Sequence, residues 1–84
     1  MRGYLVESYA ASARVGEACR RARRAAALGS GIRYVRTTFL PGDETILHVF
    51  EAPSIEALEQ AIRLARLPCE RVVEAVEAAE MGGA

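Results

Sequence analysis

The order in which two side-chain rhythms alternate constrains this chain more than any single residue does. Residues 4–9 alternate with the two-residue period of a strand, Tyr4, Val6 and Ser8 on one side and Leu5, Glu7 and Tyr9 on the other. Ser12 then suits an N-cap. Behind it Val15, Ala18, Cys19, Ala22, Ala25 and Ala26 recur at helical spacing, and Gly29 or Gly31 offers the left-handed residue that ends the helix. Residues 32–40 and 45–50 are rich in β-branched and aromatic side chains and flank Pro41-Gly42-Asp43, which reads as a hairpin on a type II turn. Pro53 and Ser54 stop that strand and cap a second helix with the apolar face Ile55, Leu58, Ile62 and Ala65, on which Glu59 and Arg63 form an i, i+4 pair. The helix ends before Pro68, residues 71–76 make a last strand, and residues 79–84 are a tail with nothing to anchor it.

The order is therefore βαββαβ. With right-handed crossovers it gives an α+β fold, a four-stranded antiparallel sheet with both helices on one face, which is the ferredoxin-like plait. At 84 residues the chain suits one domain, placed at residues 1–78. Each strand sets apolar groups on both sides, Tyr4 and Val6 against Leu5, Val72 against Val73, Ile46 and Phe50 against Leu47 and Val49. A sheet with one face in water alternates apolar with polar, so the second face calls for a cover. A second copy provides one, as a dimeric α/β barrel with room for a ligand between the sheets. The hairpin register stays open by one residue: pairing Leu40 with Glu44 sets His48 opposite Arg36, and pairing it with Asp43 sets His48 opposite Val35. That choice decides which face His48 occupies.

Composition removes several function classes. Eleven arginines balance eleven acidic residues, so no net charge draws the chain to nucleic acid or to an anionic membrane. The run Arg20-Arg21-Ala22-Arg23-Arg24 reads as a solvated helix face with Glu17 paired to Arg21. The strand holding His48 lacks the glycine and interleaved aromatics of an RNA-recognition motif. Lysine, asparagine and tryptophan are absent, and no nucleophile elbow, P-loop or HExxH motif occurs. Cys19 and Cys69 form no CxxC pair and read as reduced, buried thiols. With no apolar run of membrane-spanning length and a glutamate as early as Glu7, the expected location is the cytoplasm.

His48 is the sole histidine and sits mid-strand among apolar residues. One imidazole cannot build a tight metal site, but two-fold pairing of chains could bring two together, with Glu7, Glu51, Glu74 or a cysteine completing the shell. Glu7 and Glu51 read more simply as partners of arginines. Tyr4, Tyr34, Arg36 and His48 are the expected lining of an inter-sheet cavity for an anionic or aromatic ligand.

Tyr4-Leu5-Val6-Glu7, Ile32-Arg33-Tyr34-Val35-Arg36, Phe50-Glu51-Ala52-Pro53-Ser54-Ile55-Glu56-Ala57 and Leu67-Pro68-Cys69-Glu70-Arg71-Val72-Val73-Glu74 together resemble a family of small bacterial proteins catalogued as a domain of unknown function. Its described representative is a nickel-binding protein. The resemblance spans nearly the whole chain and implies a ferredoxin-like dimer and transition-metal binding, nickel foremost, with His48 and Glu74 as the ligands to test. The chain departs from the family pattern in having His48 where many relatives carry cysteine, and Ala61 and Ala65 where they carry histidine. The functional expectation is a non-enzymatic homodimer holding a metal ion or small ligand at its interface. The alternative is a cofactor-free dimeric α/β-barrel enzyme, a small oxygenase or isomerase, with Tyr34, Arg36 and His48 around a hydrophobic substrate.

Overall fold

The computed structural model describes residues 1–78, so the expected tail over 79–84 lies outside the described residues. Strands β1 (Arg2–Tyr9), β2 (Arg33–Leu40), β3 (Thr45–Ala52) and β4 (Arg71–Glu74) form one sheet in the order β2-β3-β1-β4. All three neighbouring pairs are antiparallel. Helices α1 (Val15–Leu28) and α2 (Ile55–Ala65) pack on one face, their buried residues joining Tyr4, Val6, Phe50 and Ala52 in a single core. This is the ferredoxin-like fold.

Local chemistry explains most of the boundaries. Ser54 caps α2 as its position demands, its Oγ accepting the Ala57 N–H at 3.2 Å. Ser12 does not cap α1. It opens a 3₁₀ turn over Ser12–Arg14, and neither Ala11 before that turn nor Arg14 at the helix start makes a side-chain cap. Gly29 leaves α1 in an extended conformation, and the left-handed residue is Gly31, at φ 72°. The hairpin loop is longer than either register expected from sequence: Leu40 pairs with Thr45 and four residues, Pro41 to Glu44, make the turn. Gly42 does not take the positive φ of a type II turn; Glu44 does, at φ 48°. The last strand ends at Glu74, two residues short of expectation.

The helices contact the sheet through very small side chains. Ala18, Ala22 and Ala25 are buried on α1, and Leu58, Ala61, Ile62 and Ala65 on α2. Gly29 lies where the helices and the chain entering β2 meet. A Cβ there would stand 2.5 Å from Ile32 Cγ1 and 2.9 Å from Ala61 Cβ. Overpacking at such a point is not relieved by rotating a long side chain, because the neighbours are themselves core atoms. Gly29→Ala is therefore expected to lower the unfolding free energy by about 1–3 kcal/mol in urea titration; an unchanged midpoint would show that the helix pair has slack.

Candidate functional site

His48 stands in the middle of β3 with no solvent exposure, pointing toward the helices. The register that puts it there pairs it with Val6 on one side and Thr37 on the other. Thr37 Oγ1 lies 2.7 Å from His48 Nδ1 and 2.5 Å from the Tyr34 hydroxyl, so a threonine links the two rings. Phe50 meets both edge-on, with centroids 5.6 Å from Tyr34 and 6.3 Å from His48, and the Arg23 guanidinium lies over the Tyr34 ring. Among the described residues, His48 Nε2 is a sealed side-chain polar atom with no hydrogen-bond partner. Burial lowers the imidazole pKa from 6.5 to about 4, which keeps the ring neutral at physiological pH.

The expected cavity residues are not brought together. Tyr4, Tyr34 and His48 lie on the helix-covered side, Tyr34 opposite Phe50 in the pairing. Arg36 pairs with Val49 and lies on the open side. A register shift between Tyr34 and Arg36 leaves Val35 as an extra residue, and that bulge sends residues two apart to opposite faces. The four-residue turn, for its part, makes neither sequence register correct: His48 faces Thr37, not Arg36 or Val35. The enzyme alternative, which needs Tyr34, Arg36 and His48 around one substrate, has no common cavity for them.

The residues present do not fit the transition metal that the family resemblance implies. Among the described residues no group of three His, Cys, Asp or Glu side chains could hold an ion. Glu74, on β4, pairs with Tyr4 of β1 and so stands one whole strand beyond the neighbour of His48, and its exposed carboxylate lies 3.9 Å from Arg2. A second sheet stacked on the open face could not reach His48 either, because the sheet itself stands between. Ala61 and Ala65 are buried against the helix pair, where an imidazole would have no room. Cys69 is exposed rather than buried, and partial burial, then Glu59 and Glu70, push its thiol pKa up. Cys19 is half-buried and also free.

The open face has its own order. Arg36, Val49, Leu5 and Val73 form one row across the four strands, and Thr38, Leu47, Glu7 and Arg71 the next. Arg33 donates to Glu51 at 2.8 Å and Arg71 to Glu7 at 2.6 Å, so both glutamates neutralise arginines. On α1, Arg21 donates to Glu17 at 3.0 Å, while no Glu59–Arg63 ion pair forms within 4.0 Å. Sequence reasoning missed Thr37, the partner of His48, because the four-residue turn that selects it leaves no compositional mark. It also missed a cleft of about 400 Å³ at the end of β1, lined by Ser8, Arg14, Glu17 and Arg21 among others. No described helix is long and apolar enough to cross a membrane.

No family model matches the chain, and no curated protein matches it. Among solved structures, the crystal structure of SCO4226 from Streptomyces coelicolor A3(2) is similar over 90% of this chain and 98% of that one. The TM-score is 0.73 at 15% sequence identity, a likeness of fold.

The buried imidazole makes stability depend on pH. Its folded pKa of about 4 lies below the ordinary 6.5, so between those values the unfolded chain binds more protons than the folded one. Stability is thus level above pH 6.5 and falls on acidification toward pH 4, by roughly 3 kcal/mol in the limit. His48→Leu is expected to flatten that segment of the stability curve. Denaturant titrations of both proteins across the interval check it, and parallel curves would contradict a neutral buried imidazole.

Proposed function

We propose that the protein is a non-enzymatic, homodimeric binding protein, joined through its open sheet faces and holding a small apolar anion between them. The observation that carries this reading is an uncompensated guanidinium beside an apolar strip. Leu5, Leu47, Val49 and Val73 make a contiguous, partly buried apolar centre on the face opposite the two helices, which no described element covers. Arg33–Glu51 and Arg71–Glu7 stand around it as ion pairs of both signs. An apolar centre with a charged, self-complementary rim is the anatomy of an isologous interface. A face with both signs suits a second copy better than it suits a uniformly charged partner.

Arg36 continues the apolar row, and among the described residues no carboxylate lies within 4.0 Å of it. Enclosed between two sheets, an unpaired guanidinium is costly unless an anion joins it. A carboxylate with an apolar body meets both demands, since guanidinium binds carboxylate through paired hydrogen bonds. The nickel-like version of the reading is set aside, because no group of three donors stands together among the described residues.

Sedimentation velocity at micromolar concentration is expected to give a dimer for the wild type and a folded monomer for Val49→Arg, which sets a charge at the centre of the face. Arg36→Ala is expected to remain dimeric but to bind decanoate roughly tenfold more weakly in calorimetry. A monomeric wild type defeats the interface, and equal decanoate affinities defeat the role of Arg36.

A further inference from the structure

We propose that the cleft at the C-terminal end of β1 is a second, separate site, for a small organic phosphomonoester. It lies on the helix side of the sheet, so it stands or falls independently of the interface and of Arg36. Ser8, Tyr9 and Ala10 bring β1 to its floor, Arg14, Glu17, Ala18 and Arg21 form the α1 wall, and Ile46 and Pro68 complete it.

Three donors of independent origin stand at the cleft or beside it. The first is Ser8, a residue only 3% exposed. None of the side-chain hydrogen bonds among the described residues uses its hydroxyl. Nor is that oxygen sealed into the core, where only His48 Nε2 is both enclosed and unpartnered among the described residues, so it opens on the cleft. A hydroxyl that has no protein partner and opens on a cleft is free to hydrogen-bond a ligand that displaces its water.

The second donor is the start of α1. The 3₁₀ turn satisfies the N–H groups of Arg14 and Val15 through Ala11 and Ser12. Because Ser12 begins that turn instead of capping the helix, no side chain covers the N–H groups that follow. An uncapped helix start carries partial positive charge and outward N–H groups, the arrangement that receives a phosphate. The third is Arg14, exposed and without a carboxylate within 4.0 Å among the described residues. Arg21 adds a fixed guanidinium, anchored by Glu17 at 3.0 Å and the Arg66 carbonyl at 2.8 Å. The one acid in the wall, Glu17, is thus already neutralised.

The remaining lining sets the rest of the ligand. A volume of about 400 Å³ exceeds what a bare phosphate needs, and Ala10, Ala18, Ile46 and Pro68 offer apolar contact. A phosphate joined to a compact apolar or aromatic group fits both halves.

The test is a ¹H–¹⁵N titration of the full chain with phenyl phosphate, with inorganic phosphate and with phenol in parallel. Phenyl phosphate is expected to shift the amides of residues 8–18 and to bind more tightly than either part alone. Ser8→Ala and Arg14→Ala are each expected to weaken it roughly tenfold, while Ser8→Ala melts no lower than the wild type because its hydroxyl supports nothing internal. Glu17→Gln is expected to bind at least as tightly. Absence of shifts in that segment, wild-type affinity in both alanine variants, or weaker binding by Glu17→Gln would each overturn the proposal.

Discussion

The antiparallel pairing of β1 with β3, unbroken from Arg2 opposite Ala52 to Tyr9 opposite Thr45, is the constraint on which the rest depends. These are the two central strands, so their register decides the face of every side chain near the middle of the sheet. It sends Tyr4, Val6, Ser8, Ile46, His48 and Phe50 toward the helices and Leu5, Glu7, Leu47 and Val49 away from them. A slip of one residue would exchange the two sets, driving glutamates into the core. The two proposed sites follow from the same pairing: Ser8 opens a cleft on one side, and the apolar row ending at Arg36 crosses the other.

The helix side is closed by the smallness of what packs there. Alanine faces on α1 and α2 and the bare backbone at Gly29 let the helices settle close to the sheet and to each other. Close packing leaves His48 dry and its imidazole uncharged. It also accounts for Ala61 and Ala65, whose methyl groups fill a dense layer between the helices and the sheet. Space that could hold a ligand therefore lies at the end of the helix layer and over the open face, not in the core around the histidine.

Much of this was legible in the sequence. Alternation in residues 4–9 showed both faces of β1, the alanine spacing marked the buried stripe of α1, and Ser54 announced the start of α2. The order of these segments carried the fold. What sequence did not carry was the hairpin. Its turn spans four residues rather than the two or three considered, and its positive φ falls on Glu44 instead of Gly42. That turn sets Thr37 opposite His48 and leaves Arg36, which a shorter loop could have put face to face with the histidine, on the other side; the Val35 bulge then shifts the remaining pairing by one and separates Tyr34 from Arg36. Neither feature has a residue signature, because a long turn and a bulge are settled by what the two strands bury against their neighbours. Ser12 misled for a related reason: a serine before an apolar run fits an N-cap, but the 3₁₀ turn places it one turn too early.

The proposal that the open face receives a second copy, while the helix-covered face is filled within one chain, is open to direct observation. Isotope-filtered nuclear Overhauser spectra of a mixture of labelled and unlabelled protein would report contacts between chains. The account predicts intermolecular signals from the methyl groups of Leu5, Leu47, Val49 and Val73 and none from Ile46, Leu58 or Ile62. Intermolecular signals confined to the helices, or none from the open face, would contradict it.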